Sequence, residues 1–444
     1  MQESPNQYLR SFTTPATDEV TRVFRKAVWR LLPFLFLGYV INTIDRANVA
    51  FAKLRMAEDI ALTDAAYGIG AGIFYLGYIL FEVPSNMYMQ RVGARATLTR
   101  IMVLWGLVTI ATAFVSTPTH LIVARFCLGI AEAGFFPGVI LYLTYWFPPA
   151  LRARITAVLL MAAMTAGVVS GPLAGWIMAH FDGLMGLRDW QVLFVLEGIP
   201  AVLLGVWGWF WLTDRPSQAR WLNEREKGLI IAALATGNNT TAASPGRLID
   251  TLREPKVYIA GLVFFCIYSG SNTVSYWMPT LIQGFGLDNL KHIGMISSLP
   301  YICAIFAMYW LARSSDKHLE RRWHVSLTLL GGAGCFLLLG PAQGNLWLSV
   351  TLMSVGAAAA MSALALFWTI PPALLNPSNA AIGIAVISAI GGLAGVISQI
   401  VVGAIKSSTG NLYLAFDVIA ATLVFGALVL LIGIRRHHLT DRKH

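Results

Sequence analysis

Long apolar runs separated by short polar turns make up most of the chain. A helix needs about 20 largely apolar residues to cross roughly 30 Å of hydrocarbon. On that basis the pattern predicts twelve spans, six before and six after a long polar stretch. Their predicted ranges are 27–47, 67–89, 97–116, 119–146, 153–179, 190–212, 257–283, 292–312, 324–341, 346–370, 378–405 and 412–434. We therefore expect an all-α integral membrane fold of two six-helix halves.

The spans define five segments of the chain. We expect an N-terminal tail (1–26), a first six-helix bundle (27–212), a linker (213–256), a second bundle (257–434) and a C-terminal tail (435–444). Within the linker, residues 220–234 suit an amphipathic helix lying on the membrane surface. A linker without regular structure is the alternative, and the sequence does not separate the two.

Basic residues indicate how the spans are oriented. Of the 32 Lys and Arg, 25 fall on the side of the membrane that carries both predicted tails, and five fall on the other side. Segments that stay in the cytoplasm carry an excess of Lys and Arg. We therefore expect both termini to be cytoplasmic.

Composition narrows the class of protein. Only 12% of the residues are charged and 57% are hydrophobic, whereas soluble domains carry about 25% charged residues. The net charge of +10 does not indicate a nucleic-acid partner, because the basic residues lie in turns between apolar runs. The four cysteines are scattered singly and predict neither a disulfide framework nor a metal site. No cofactor motif is found, and no cluster of catalytic residue types indicates an enzyme.

Charged residues inside the predicted spans are the candidate functional groups. Asp45 and Arg46 end the first apolar run, and with Tyr39 and Asn42 they fall at spacings that share one helix face. An ion at bilayer depth is costly unless it is paired or hydrated, so this face should line a cavity. A simple ion pair at the helix end is the alternative, but it does not explain Tyr39 and Asn42.

A second candidate pair lies in the fourth span. Arg125 and Glu132 are seven residues apart, so they lie on nearly the same helix face, roughly 10 Å apart along the axis. Arginine offers a two-pronged donor for a carboxylate, and a carboxyl group can exchange a proton. A static salt-bridge network is the alternative. We predict that Arg46 and Arg125 bind an organic anion and that Asp45 and Glu132 carry protons.

Segments along nearly the whole chain resemble the major facilitator superfamily. Two basic loops, QRVGARATLTR (90–100) and ARSSDKHLERRWH (312–324), occupy the same place in each half and are similar to its signature turn. Within it, the chain resembles the anion:cation symporter family of tartrate, phthalate, galactonate and hydroxyphenylacetate permeases. The stretches that carry this resemblance are IDRANVAFA, YLGYILFEVPSNMYMQRVGAR, RFCLGIAEAGFFPGVILYLTYWFP, FVLEGIPAVLLG, YWMPTLI, SDKHLERRWH and FWTIPPALL.

The resemblance implies a function and further site residues. It implies proton symport of an organic carboxylate (tartrate-, sugar-acid- or aromatic-acid-like) by alternating access, through a monomer in a bacterial inner membrane, without a cofactor. Tyr75 faces inward by the family pattern. Spacing on the seventh span places Asn272 and Tyr276 on one face with Trp277 beside them, and we expect these residues, with Asn42 and Trp368, to complete the substrate site. Gating residues in the two signature loops are Arg91, Gly93, Arg95, Asp316, Arg321 and Arg322, and Gln90 departs from the acidic residue usual in the first loop.

Other functions remain as alternatives. An exporter or an anion exchanger would share this fold, although exporters of hydrophobic cations have little use for two arginines within the membrane. A membrane sensor would normally carry a soluble output domain, and the longest polar stretch here is the linker.

Overall fold

The computed structural model describes residues 15–239, 248–318, 320–375 and 380–434. The predicted C-terminal tail lies outside the described residues, as do residues 1–14 of the predicted N-terminal tail. The first half contains α1 (Pro15–Asp59), α2 (Asp64–Val92), α3 (Ala94–Thr112), α4 (Pro118–Glu132), α5 (Phe135–Trp146), α6 (Pro149–His180) and α7 (Asp189–Trp211). The first helix therefore begins at Pro15, well before the predicted start of the first span.

The second half follows two linker helices, α8 (Glu224–Asn239) and α9 (Leu248–Leu252). Its helices are α10 (Pro255–Gln283), α11 (Leu290–Ser297), α12 (Leu299–His318), α13 (Arg322–Leu337), α14 (Leu346–Phe367), α15 (Pro371–Leu374), α16 (Ala380–Thr409) and α17 (Leu412–Gly433). Short 3-10 turns lie at Leu184–Gly186 and Pro216–Gln218.

All twelve predicted spans correspond to helices in the described parts of the chain. Eleven are long and apolar enough to cross a membrane by length and composition, and the ninth, α13, has 16 residues. Side-chain caps fix where several spans begin. Thr63, Asn289, Asn345 and Asn411 each accept a backbone N–H in the first turn of the following helix, which satisfies donors that a helix start leaves open.

Three spans are interrupted, which the apolar pattern does not predict. The fourth is divided into α4 and α5 by Ala133 and Gly134, the eighth into α11 and α12, and the tenth into α14 and α15. At the first of these breaks Gly134 has φ of +86°, a conformation that glycine adopts without the steric cost that a Cβ atom brings. The break follows directly after Glu132.

The helices pack as two bundles that meet along three lines. In the first half α3 packs against α7, and α2 packs against α4; in the second half α10 packs against α16, and α13 against α14 and α17. The two halves meet where α2 contacts α16, α6 contacts α11, and α1 contacts α10.

We call the side where α1 begins and α17 ends the terminal face, and the other side the opposite face. Towards the opposite face, glycines bring backbones from the two halves into direct contact. Gly171 of α6 faces Gly294 of α11, and Gly68 of α2 faces Gly403 of α16. A Cβ atom at any of these four positions would meet the backbone of the other half. The halves are therefore closed against each other at the opposite face.

The linker helix α8 packs against the start of α1 at the terminal face. Lys26 donates hydrogen bonds of 2.9 and 3.0 Å to Glu226, and Arg225 pairs with Glu19 at 2.6 Å. These hydrogen bonds from the Lys26 ammonium lower the pKa of Glu226. A helix is thus present within residues 220–234 and begins at Glu224, while its position on the membrane surface remains a prediction.

Candidate functional site

Polar side chains from α1 and α4 meet in the first half where it faces the second. Glu132 is fully buried, and its Oε2 atom accepts a 2.7 Å hydrogen bond from Arg46 Nε and another of 2.7 Å from Asn42 Nδ2. The Arg46 side chain is 23% exposed, so it is accessible while its carboxylate partner is not. The helix break after Glu132 ends α4 at this carboxyl group.

The second arginine of the prediction lies beside the first. The guanidinium carbon of Arg46 is 5.2 Å from the centre of the Phe74 ring, and that of Arg125 is 4.8 Å from the same ring. Arg46 also lies 4.9 Å from the Tyr78 ring. Aromatic faces attract cations electrostatically, so the rings help to hold two positive groups close together.

Arg125 is almost completely buried, at 1% exposure, and has few partners. Its Nη2 atom is 3.4 Å from the hydroxyl of Tyr276 in the second half. Its Nε and Nη1 atoms have no hydrogen-bond partner among the described residues, and the same holds for Arg46 Nη2 and Asn272 Nδ2. Four donor nitrogens are thus left without an acceptor in one region, and a buried donor without an acceptor is costly.

Tyr75 and Asn272 join the two halves at this site. The Tyr75 hydroxyl donates a 2.8 Å hydrogen bond to Asn272 Oδ1, and the Tyr75 ring lies edge-on to Tyr276. The structure therefore brings together six predicted substrate-site residues: Asn42, Arg46, Tyr75, Arg125, Asn272 and Tyr276.

Two predicted aromatic residues lie elsewhere. Trp277 donates a 2.9 Å hydrogen bond from Nε1 to Gln399, and its ring lies 4.2 Å from Lys53 Nζ, towards the opposite face. The Trp368 ring packs against Phe264 and Phe367 at the end of α14. Helix spacing and residue type alone do not show whether an aromatic residue packs elsewhere in the bundle or lies beside the arginines.

Asp45 points away from the arginines, contrary to the shared face that the spacing indicates. Its Oδ2 accepts a 2.7 Å hydrogen bond from Thr109 of α3, and its Oδ1 accepts one of 2.9 Å from Asn48. Adjacent residues of a helix diverge by about 100°, so Asp45 reaches α3 while Arg46 reaches Glu132 and the rings of α2.

The predicted gating loops lie at the terminal face, and the first of them uses an acid from another segment. Asp214, which follows α7, accepts a 2.8 Å hydrogen bond from the backbone N–H of Arg95 and lies against Gly93, whose φ is +105°. Gln90 does not provide the acidic partner of this turn. Asp214, which follows the sixth span, provides it instead. Arg91 is exposed.

The second loop holds its charged residues in local contacts. Arg321 pairs with Asp316 and donates a 2.6 Å hydrogen bond to Ser315, and Arg322 donates to the backbone carbonyl of Leu431. All six predicted gating residues therefore lie at or between the helix ends that join α2 to α3 and α12 to α13, and their part in gating remains a prediction.

A charged cluster near the opposite face was not predicted. Lys53 pairs with Asp64 at 2.6 Å, and Lys406 of the second half pairs with the same carboxylate at 3.2 Å. Lys53 Nζ also lies 3.3 Å from the hydroxyl of Thr280 and 4.4 Å from the Tyr67 ring. We call Lys53, Asp64 and Lys406 the lysine latch. In the sequence, this cluster is indicated by Lys53, which lies within the apolar stretch that follows Asp45.

The described residues contain no group of three or more His, Cys, Asp or Glu side chains that could hold a metal ion. The chemistry of the site is that of two guanidinium groups, buried carboxyl groups and aromatic rings. Such a set can bind an anion and hold or release protons.

Comparison with known proteins identifies related sequences along almost the whole chain. The family model of the Major Facilitator Superfamily matches residues 35–399. A protein of Pseudomonas putida named as the metabolite transport protein NicT is 39% identical over 409 residues, covering 92% of this chain and 94% of that protein. A protein of Agrobacterium vitis named as a tartrate transporter is 40% identical over 418 residues, covering 94% and 95%.

A third relative carries a different kind of name. The quinolone resistance transporter of Acinetobacter baumannii is 37% identical over 421 residues, covering 93% of both chains. Among solved structures, the crystal structure of a D-xylose-proton symporter superposes with a TM-score of 0.75 at 16% identity, covering 92% of this chain and 98% of that one. At that identity the superposition establishes the fold.

Proposed function

Because the chain belongs to the Major Facilitator Superfamily and is a membrane transporter, not an enzyme, we propose that it takes up an organic carboxylate together with protons by alternating access. The relatives named as metabolite and tartrate transporters support an organic anion as the substrate. The observation that carries the proposal is the set of unpartnered donor nitrogens on Arg46, Arg125 and Asn272.

A carboxylate of the substrate fits these donors. Each carboxylate oxygen accepts up to two hydrogen bonds, and arginine can bind it with two parallel N–H groups. The buried Phe74 ring, which lies near both guanidinium groups, keeps water away from them, which strengthens the attraction between opposite charges. The Tyr75–Asn272 and Arg125–Tyr276 contacts reach across the two halves, so bound substrate would also hold the halves together.

Glu132 couples the binding of substrate to a proton. Before substrate binds, Glu132 neutralises Arg46 through the 2.7 Å contact. When a substrate carboxylate occupies the guanidinium groups, Glu132 loses its share of the positive charge, and a buried carboxyl group without a cation favours the neutral, protonated form. Asp45 is the second proton carrier in this scheme, held between Thr109 and Asn48.

The direction of access follows from the closed opposite face. With both termini in the cytoplasm, as the excess of Lys and Arg supports, closure of the opposite face blocks access to the site from the outside. Uptake then requires the glycine contacts and the lysine latch to separate. We place the protein in a bacterial inner membrane, where a single chain contains the whole site.

Export is the second candidate, because a relative of equal coverage is named as a quinolone resistance transporter. Quinolones also carry a carboxylate, so the arginine pair does not discriminate between the two directions. Anion exchange uses the same residues without net proton movement.

Uptake into proteoliposomes tests these functions. The panel contains tartrate, galactonate, phthalate and 4-hydroxyphenylacetate, each with and without an inward proton gradient. We expect one acid to accumulate with the gradient, Arg46→Ala to abolish uptake, and Asp45→Asn or Glu132→Gln to abolish accumulation while exchange of labelled for unlabelled substrate continues. Loss of exchange in Glu132→Gln equal to that in Arg46→Ala would contradict the division of roles. Substrate-stimulated efflux of protons would indicate export.

A further inference from the structure

A cavity of about 660 Å³ opens at the opposite face, beside the lysine latch and within the second half. It lies where the end of α10, the turn before α14 and the turn between α16 and α17 meet. A volume of this size can hold a small organic acid. The residues of the arginine site do not line it, and its polar lining consists of Thr280, Gln343, Lys406, Thr409, Asn411 and Tyr413.

Lys406 is the one charged side chain among the described residues that line this cavity. Its Nζ atom lies 3.2 Å from Asp64 Oδ1, and Lys53 Nζ lies 2.6 Å from the same oxygen. One carboxylate therefore serves two ammonium groups, so the lysine latch carries an excess positive charge. The Lys406 side chain is 21% exposed and that of Lys53 is 6% exposed, so this excess charge is accessible at Lys406.

Another large cavity at the same face has the opposite charge. It has a volume of about 810 Å³ and lies between the ends of α1 and α6 and the starts of α7 and α11. Its charged lining is mainly acidic and consists of Glu58, Asp59, Asp182, Asp189 and Asp288, with Arg55, Arg188 and Lys291. A cleft with an excess of one charge concentrates ions of the other. An anion that approaches the closed opposite face is therefore directed to the cavity at Lys406.

Neutral groups in the cavity can add hydrogen bonds to that of the ammonium group. The Thr280 hydroxyl accepts a 3.3 Å hydrogen bond from Lys53 Nζ, and its own hydrogen is not used in that contact. Asn411 Oδ1 accepts the backbone N–H of Tyr413 at 2.8 Å, and this cap does not use the amide nitrogen of Asn411. A carboxylate has acceptor sites on both oxygens, so it can use a cation and neutral donors together.

We propose that this cavity is an outer capture site for the carboxylate of the transported acid, with Lys406 as its cation. The inference rests on the proposed function, in which the opposite face is the outer one and the substrate is an organic carboxylate. The carboxylate binds while the halves are closed and competes with Asp64 for Lys406. Asp64 then keeps its pair with Lys53 of its own half, and the ion pair across the halves is lost. Capture of substrate thus favours opening towards the arginine site.

Protection of a cysteine in the cavity tests binding without requiring transport. Thr409→Cys, in protein that lacks the four native cysteines, places a thiol on an exposed part of the lining, where a membrane-impermeant maleimide can modify it. Tartrate, galactonate, phthalate and 4-hydroxyphenylacetate are each compared with sodium chloride at equal ionic strength. We expect one of the acids, at ten times its Kd, to slow modification about tenfold, because modification requires a cavity free of acid. Chloride should not protect the thiol.

Three further variants identify the site that gives this protection. Protection should persist with Arg46→Ala, which disables the arginine site, and should be lost with Lys406→Gln. Glu58→Cys is the matched control, because Glu58 is exposed and lines the acidic cavity of the same face, and no acid should slow its modification.

Several results of the protection experiment would overturn the inference. They are protection by none of the acids, equal protection by chloride, protection of Glu58→Cys, loss of protection with Arg46→Ala, and protection that survives Lys406→Gln. Wild-type protein that takes up none of the acids would instead refute the proposed function, while the protection experiment would still decide whether the cavity binds a carboxylate.

Uptake kinetics separate capture from a role of Lys406 in the latch alone. Asp64→Asn breaks the latch but keeps Lys406, so the KM for external acid should not rise. Lys406→Gln breaks the latch and removes the cation, so this KM should rise about tenfold, the scale of one lost charged hydrogen bond, and Lys406→Arg should restore it. A KM for Lys406→Gln no higher than that for Asp64→Asn would overturn the capture role.

Discussion

Two guanidinium groups share one aromatic ring in the centre of this transporter. Arg46 is neutralised by Glu132, whereas Arg125 makes one hydrogen bond in the described part of the chain, to the Tyr276 hydroxyl. A buried arginine with free N–H groups is costly to the folded protein. Its presence is accounted for if an anion binds there during the transport cycle, and Arg125 is then the residue on which substrate affinity depends most.

Substituting Arg125 with lysine tests this dependence. Lysine keeps the positive charge but replaces the planar, two-pronged donor with a single ammonium group. We expect the KM for the transported acid to rise about 10- to 100-fold, which corresponds to losing ~1.5–3 kcal/mol of charged hydrogen bonding. Uptake kinetics in proteoliposomes provide the measurement.

Arg313→Lys is the matched control, because Arg313 is exposed and, among the described residues, hydrogen-bonds only to the nearby Tyr309 hydroxyl. It should leave KM unchanged. A KM for Arg125→Lys equal to that of the control would show that substrate binds without this arginine.

At the level of helices, closure of the opposite face combines charge with close backbone contact. Asp64 binds one lysine from its own half and one from the other, so the lysine latch links the halves directly. Lys53 lies against the rings of Tyr67 and Trp277, one from each half. The latch therefore forms only when the two halves are closed at this face.

Removing the carboxylate of the latch should favour opening at the opposite face. Asp64→Asn leaves Lys53 and Lys406 to repel each other, so the population with separated α2 and α16 should increase. Distances between spin labels at Thr63 and Thr409 measure this population in a variant that lacks the native cysteines.

Asp59→Asn is the control, because Asp59 pairs with Arg188 within the first half on the same face. Its distance distribution should match that of the parent protein. An Asp64→Asn distribution that also stays unchanged would mean that the latch does not stabilise closure.

Adding a single methyl group at one of the glycine contacts should impair closure of the opposite face. In Gly171→Ala the added Cβ would meet the Gly294 carbonyl, so the halves cannot close fully and the transport rate should fall about tenfold, the cost of overpacking a close contact. Gly334→Ala places the same methyl group where nothing lies within 4 Å and should leave the rate unchanged. Equal rates in the two variants would argue against closure at Gly171.

For the whole molecule, the apolar pattern alone predicted the twelve spans and their division into halves. Each span is a continuous apolar run, and the bilayer requires it to be a helix. The breaks within spans escaped prediction because Gly134 and its neighbours are as apolar as the helices they interrupt. The pattern locates the spans but not the points at which a span breaks into two helices.

The site was predicted in part, for a physical reason. Charged residues in apolar runs identified Arg46, Arg125 and Glu132, because the cost of burying a charge is large wherever it occurs. The direction of Asp45, the place of Trp277 and the partners Asp214 and Asp64 depend on how distant segments pack. The spacing of residues along a single helix carries no information about such contacts.

Coupling of the carboxylate to protons is the central claim, and it is tested most directly by following the external pH of proteoliposomes with a dye. Adding the transported acid without any imposed gradient should make the medium more alkaline as protons enter with the substrate. Asp45→Asn and Glu132→Gln proteins should exchange substrate without this change. Entry of the acid into wild-type proteoliposomes at constant external pH, or with acidification of the medium, would contradict proton symport.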